Sequence, residues 1–400
     1  MNDRVASSSL SRLTVEDMTA RRLALSEVRE QVGSGKKINR PSDDPALAAR
    51  LIDIEASLGR LEQFSRNADS AESSLQLQET VLGSVIDSVQ RIRELTVQAN
   101  NGTNGTAERR IIAVEIANRL SGLFDLANTR GGDGRALFAG SRMIDNPFTP
   151  GSPTGYAGDD TSKRVDIGLD RQVVATTPGS DLFMRLRDGN GRFRVEASPT
   201  NAGNGILNVG TVTDEAAFDG TRVRLVFTAP DQYDITDADS GAIISGAVTY
   251  EAGESLSVAG MTTQLSGAPA AGDTFLMEPA RQSDVFATVE RLVDTLNETG
   301  DDQASDALRR QDLGNSLAAL DLVLEHIGNH RSSTGSRLQS IDASRDETEA
   351  VSLQLQTTAA SIEDADMAEV VTRLQRENNA LELLQRTYAQ FSRTSILDYL

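Results

Sequence analysis

Apolar residues recur at three- and four-residue steps toward both ends of the chain. From Ser336 to Leu400 there is no glycine and no proline. Met367, Val371 and Leu374 are followed by Leu381, Leu384, Tyr388 and Phe391, with Ile396 and Leu397 beyond them. This spacing predicts a helix with a coiled-coil seam. Asn378 and Gln385 interrupt the seam with polar groups, which weakens it but fixes its register. Residues Met1 to Val32 also lack glycine and proline, and carry Leu10, Leu13, Met18, Leu25, Val28 and Val32. A helix at one end needs a partner, and the other end supplies the best one. The two termini are expected to pair, with everything between them looped out.

Between these ends the punctuation is uneven. Pro41 and Pro45 stand early, and the other eight of the ten prolines fall between Pro147 and Pro279. The segment GSGKKINRPSDDP, Gly33 to Pro45, ends the first helix: its glycines suit a C-terminal cap, and Ser42, Asp43 or Asp44 suits the N-cap of the next, with Pro45 in the first turn. A connector is the main reading, and an anion site on its lysines and arginine the alternative. The second helix is expected from Ala46 to about Ala99. Its seam alternates steps of four and three through Leu47, Leu51, Ile54, Leu58, Leu61, Ser65, Ala68, Glu72, Leu75, Glu79, Leu82, Ile86 and Val89. At 1.5 Å per residue it would be about 80 Å long, so a coiled coil is expected. A third helix is expected from Ala107 to Thr129, with Ile112, Ile116, Leu120 and Leu123 on one face. Arg130 to Phe148 is glycine-rich but lacks the phosphate-loop pattern and its strand-to-helix context. A turn feeding a short extended run, Arg135 to Ala139, is expected instead.

From Gly151 to Ala280 short alternating runs lie between turn residues. They are Arg164–Leu169, Arg192–Ala197, Arg222–Thr228, Ala247–Tyr250 and Thr274–Pro279. The turn at Asp237, Asp239 and Gly241 lacks the distal glutamate of a calcium loop and reads as a hairpin turn. Helices resume at Ser283, with seams at Leu313, Leu317, Leu320, Leu324 and Ile327, at Leu338 and Ile341, and at Leu355, Ala359 and Ile362. The two histidines, His326 and His330, share this region with Gly328, taken to mark a nearby helix end. They read as solvated polar residues rather than metal ligands.

The expected fold is α+β: a long antiparallel helical coiled-coil rod formed by both chain ends, with an inserted β-rich domain. Residues 1–45 with 360–400 form the terminal helical pair, 46–148 with 281–359 the rod, and 149–280 the β-domain. One narrow seam does not offset the ordering entropy of about seventy terminal residues. The terminal pair is therefore expected to be disordered in the monomer and to fold when neighbouring subunits cover it.

Composition narrows the function. The formal net charge of −20 and pI near 4.6 argue against nucleic acid as a partner. Hydrophobic residues make up 38% and aromatic residues 4%, which suits long one-stripe helices better than a compact enzyme core. No cysteine is present, which excludes thiol catalysis, thiolate metal sites and disulfides. No apolar run reaches the ~20 residues that span a bilayer, so no membrane partner is expected. The N-terminal residues lack the apolar core of a cleavable signal peptide. No motif places a nucleophile beside its base, although so acidic a chain leaves a glycosidase-type carboxylate pair open. No catalytic, cofactor or metal residues are assigned.

Three stretches resemble the bacterial flagellin family, in a resemblance covering both helical parts. SGKKINRPSDDPALAARL, Ser34 to Leu51, is similar to the family's N-terminal signature, including the turn Asn39, Arg40, Pro41, Ser42, Asp43, Asp44 and Pro45; Asn67 and Ala68 follow at the family's spacing. GRALFAGS, Gly134 to Ser141, followed by Asn146, Pro147 and Phe148, resembles the entry to the β-domain in members at the hook–filament junction. TYAQFSRTSILDYL, Thr387 to Leu400, resembles those members more than filament flagellin. The resemblance implies a structural subunit of the extracellular flagellum, exported unfolded by the flagellar type III apparatus. Its paired termini would line a tubular assembly. A ring of copies would join the other hook–filament junction protein to flagellin, and an export chaperone would mask the C-terminal helix beforehand. Filament flagellin itself is the alternative. A stalk-displayed adhesin is a weaker one, because Tyr156, Tyr233 and Tyr250 are few and scattered in the sequence.

Overall fold

The computed structural model describes residues 2–102, 104–151 and 154–397, with side chains described from 12 to 390. Helix α1 (Asn2–Ser34) is followed by α2 (Pro45–Ala99) and α3 (Thr106–Ala127). Strands β1 (Phe148–Thr149) and β2 (Gly155–Tyr156) form a small hairpin, as do β3 (Lys163–Asp166) and β4 (Gln172–Thr176). A π-helical turn at Ser180–Met184 leads into β5 (Leu186–Arg187), β6 (Phe193–Ala197), β7 (Ile206–Leu207) and β8 (Thr211–Val212). Then come β9 (Val223–Ala229), β10 (Gln232–Asp237), β11 (Ile243–Thr249), β12 (Ser255–Val258), β13 (Met261–Ser266), β14 (Thr274–Pro279) and β15 (Gln282–Ser283). Three helices close the order: α4 (Val285–Asn297), α5 (Gln303–Glu363) and α6 (Met367–Leu397). The architecture is thus α+β, with long helices from both chain ends and a central β-rich region.

The chain divides into two compact units. One runs from Asn67 to Ser344. Its helical core joins Leu82, Val85, Val89 and Ile92 of α2, Ile112, Ile116 and Leu123 of α3, Phe286, Val289 and Leu292 of α4, and Leu313, Leu320 and Ile327 of α5. The rings of Phe124 and Phe286 stack at 4.2 Å. Buried polar groups tie the helices to the strands: Gln78 Nε2 donates to Thr334 Oγ1 at 2.8 Å, and Gln78 Oε1 accepts from the Thr177 amide at 3.2 Å. The π-helical turn lies against α5, where His326 Nε2 is 2.7 Å from the Asp181 carbonyl.

The β-region is a five-stranded antiparallel sheet in the order β11-β10-β9-β14-β6, beside a smaller sheet in which β13 pairs β12, β7 and β8. Phe193, Leu225, Phe227, Ile235, Phe275 and Met277 of the larger sheet and Met261 and Leu265 of β13 share one core. Glu278 is buried in β14 and meets three guanidinium groups, from Arg194, Arg222 and Arg281. Burial would raise its pKa, but these partners hold it below the usual carboxylate range.

Several expectations are corrected. Glycine does not end the helix at His326 and His330: α5 runs through Gly314, Gly328 and Gly335. Each glycine costs about 1 kcal/mol, less than the ~1.5–3 kcal/mol returned by each buried leucine or isoleucine beside it. The histidine rings lie 4.7 Å apart and His330 is half-buried. Burial, with His326 adjacent, pushes its pKa down, so the pair is not simply solvated. Strands β4, β10, β12 and β13 lie outside the runs read from the sequence. The stretch from Ser336 onward is also not one helix, because α5 and α6 are separated at 364–366.

Candidate assembly site: the terminal helices and the signature turn

The second compact unit comprises the residues up to Arg66 and those from Arg345 onward. Within it α1 and α6 pack antiparallel. Arg21 Nη1 donates to both carboxylate oxygens of Glu377, at 3.1 and 2.9 Å, while the Ala365 amide donates to the Gly35 carbonyl at 2.9 Å.

The turn between α1 and α2 is built by its own side chains. Gly35 adopts a φ of +73°, and its amide donates to the Gln31 carbonyl, ending α1. Asp43 Oδ2 accepts from the amides of Asn39 and Arg40 at 3.0 and 2.8 Å. Asp44 Oδ1 accepts from the amides of Ala46 and Leu47, so Asp44 is the N-cap of α2 and Pro45 its first residue. Ile38 is buried, and Gln31 Nε2 donates to the Lys37 carbonyl. Arg40 pairs with Glu30 at 2.8 Å. Pro41 and Ser42 sit exposed at the apex.

This turn is stitched to the break between α5 and α6. Lys36 and Asp364 form an isolated antiparallel bridge. The Lys37 amide donates to the Glu363 carbonyl at 2.6 Å. The Lys36 ammonium pairs with the Glu363 carboxylate, and that hydrogen bond raises the pKa of Lys36. The pairing engages one cation of the suggested anion site. Asp366 Oδ1 then accepts from the amides of Ala368 and Glu369, capping α6. Asp366-x-x-Glu369 has the spacing of a capping box and was the sequence signal for this break.

The break also resets the phase of the seam. The inward set on α6 is Val370, Leu374, Glu377, Leu381 and Leu384, of which Val370 is buried and the rest half-buried. Met367 and Val371 lie off the seam and are exposed, as are Asn378 and Gln385, whereas Tyr388 continues the seam four residues after Leu384 and is 37% exposed. Counting from Met367 set Met367 and Val371 to one side of the inward set, which begins at Val370. The polar seam position is Glu377, matched by Arg21. On α1, Leu25 and Val28 are buried, Met18 and Val32 half-buried, and Leu13 is exposed. Leu10, Phe391, Ile396 and Leu397 lie on these helices, but their side chains fall outside the described residues. The described side chains of α1 and α6 supply only three fully buried apolar groups, Leu25, Val28 and Val370, for helices of 33 and 31 residues. Leu23 and Leu383 stand 69% and 66% exposed. One pair therefore leaves apolar side chains on each helix uncovered.

The other candidate positions lie in the Asn67–Ser344 unit. At Asp237 the carboxylate accepts from the amides of Asp239 and Ser240, and Gly241 has a φ of +73°, which makes the hairpin turn of β10 and β11. The glycine-rich loop folds back through a bridge between Arg130 and Ala136. Among the described residues, no group of three or more His, Asp or Glu is placed to hold a metal, and no helix is long and apolar enough to cross a membrane.

The profile of the bacterial flagellin N-terminal helical region matches residues 6–143. The crystal structure of FlgL from Xanthomonas campestris superposes with a TM-score of 0.72 at 33% identity, covering 77% of this chain and 99% of that one. The chain belongs to the flagellin family. A second family structure, the flagellar junction protein FlgL from Legionella pneumophila, gives a TM-score of 0.69 at 28% identity over 80% of this flagellin-family chain and all of that one. Among curated relatives, flagellar hook-associated protein 3 of Escherichia coli (strain K12) is 30% identical over 154 residues. A flagellin of Salmonella paratyphi A is 30% identical over 272. The chain spans about half the length of these curated relatives, 48% and 53%.

Proposed function

We propose that this flagellin-family chain is a structural subunit of the bacterial flagellum, joining hook to filament as an adaptor ring assembled through its paired terminal helices. The observation that carries this reading is the thin seam of α1 and α6, which leaves Leu13, Val15 and Leu23 of α1 and Met367, Val371 and Leu383 of α6 exposed. The seam closes the pair within a subunit, and these exposed apolar side chains await apolar surface from neighbours. The domain limits expected from the sequence belong to the same proposal, with the terminal pair disordered in the free subunit and folding on assembly. Its partners are further copies of itself, the other hook–filament junction protein, flagellin, and an export chaperone that covers the C-terminal helix before secretion. It acts outside the cell and has no catalytic role. The likeness to FlgL structures over nearly their whole length supports the junction role over filament flagellin.

Leu381→Asp should leave the Asn67–Ser344 unit folded and abolish ring assembly, read as loss of motility when the variant replaces the chromosomal copy. Wild-type motility would refute the reading. The purified chain alone should form no long filaments, whereas a filament flagellin would.

A further inference from the structure

Two free strand edges flank one groove in the β-region. Among the described residues, strand β11 pairs with β10 alone and β12 with β13 alone. Between them lies a groove of about 370 Å³, walled by Leu225, Ile235, Ile244, Val248, Leu256 and Leu265. Each free edge presents a row of unpaired backbone groups, which is a template for another strand.

Strand β11 is bulged against β10 and Ala247 within it has a φ of +56°, but two features mark the rest of this edge as receptive. The segment from Gly241 to Tyr250 carries no charged residue in a chain of net charge −20. Ile243 and Ile244 are 65% and 48% exposed. A protein guarding an edge places lysine or proline there, and this one has two isoleucines. Tyr233 lines the groove and is 7% exposed. Glu251 and Glu254, also on the groove, are exposed and have no ion-pair partner among the described residues. The groove is therefore apolar in its walls and anionic at its rim.

We propose that this groove receives an extended basic-apolar peptide segment of another protein, which adds to the five-stranded sheet along β11. Alternate apolar side chains enter the groove, and a lysine or arginine faces Glu251 and Glu254. Main-chain pairing supplies affinity, and the groove and its rim supply specificity. This function is separate from the terminal helices and does not depend on the hook–filament role. A second copy of this chain is the poorer occupant, because its own β11 offers no cation to the rim.

The test uses the full chain and the acetylated peptide Trp-Lys-Val-Thr-Val-Arg-Val. The chain contains no tryptophan, so the fluorescence anisotropy of the peptide reports binding directly. Amide hydrogen exchange gives the location. Binding should slow exchange across Ile243–Thr249, and a peptide with proline at its centre should bind at least about tenfold more weakly. The double variant E251K/E254K should lose about tenfold for the basic peptide and gain a similar factor for its Glu-substituted counterpart. Both glutamates are exposed, so the variant keeps its fold, and circular dichroism confirms this. The proposal is overturned by any of three results: no anisotropy change at millimolar peptide, unchanged exchange at β11 despite binding, or indifference to the charge exchange. Self-association of the chain through β11 that excludes the peptide would also overturn it, in favour of a second copy.

Discussion

Asp312 sits half-buried on α5, and burial is the main reason its carboxyl is pushed up to about 6. The negative charges of Glu298 and Glu196 add to the shift, and Arg291 opposes it. Unfolded, the same group titrates near 3.8. Above pH 6 the folded state therefore carries a charge that its surroundings disfavour, whereas below pH 4 both states hold the proton and the penalty vanishes. A difference of about two pKa units corresponds to roughly 3 kcal/mol, an upper bound for a group that retains some solvent. Asp312→Asn should thus stabilise the Asn67–Ser344 unit by about 2–3 kcal/mol at pH 7.5, or roughly 5–10 °C in melting temperature. Urea or thermal unfolding of wild type and variant at pH 7.5, 6.0, 5.0 and 4.0 reads this directly. The two curves should converge as pH falls through 6 toward 4. Equal stability at pH 7.5 refutes the burial argument, and a gap that persists at pH 4 refutes the electrostatic one.

Three further outcomes are expected. Asp366→Ala removes the cap of α6 and should cost about 1 kcal/mol locally, read as faster amide exchange at Ala368–Val371 with the β-region unchanged. Glu278→Gln leaves Arg194, Arg222 and Arg281 without their shared carboxylate and should destabilise the β-region by about 3–5 kcal/mol, measured by urea unfolding. His330 is neutral in the fold because burial lowers its pKa below 6.5, so acidification protonates the unfolded chain first. Stability should decline as pH drops below 6.5, and His330→Asn should flatten that decline in the Asp312→Asn background.

The helices were legible because their apolar period persists over many turns: Ile54, Ala68, Leu75, Leu82 and Val89 fall on the expected α2 seam and are buried. Strand β14 was recovered to the residue, since its apolar run Phe275–Met277 is short and flanked by turn residues. Strand β10 was hidden inside what read as an aspartate-rich turn. Its Tyr233 and Ile235 point inward while Asp234 faces outward, so the turn-forming residues outweighed a short alternation. Strand β13 hides in the same way, because the buried residue between Met261 and Leu265 is Thr263, whose hydroxyl donates to the Asn208 carbonyl. At the assembly site, the turn from Asn39 to Pro45 carries its capping chemistry in its letters. The phase of α6 shows less plainly, because its start combines the local Asp366 cap with backbone bonds to Gly35 and Lys37, more than 300 positions away. Periodicity reports the presence of a stripe but not where a tertiary contact restarts it.

The stitch between those two breaks constrains how the chain can change in length. Gly35 and Lys37 lock to Ala365 and Glu363, so α1 and α6 leave a common origin in opposite chain directions. One residue inserted into α1 beyond this origin rotates all that lies distal to it by about 100°. Leu25 and Val28 would then turn away from Val370 and Leu374 unless α6 changed by the same amount. Insertions and deletions in the two terminal helices are therefore tolerated as matched pairs, or in near-whole turns. Subunits built on this pattern should keep the lengths of their two ends correlated while their β-regions grow or shrink freely.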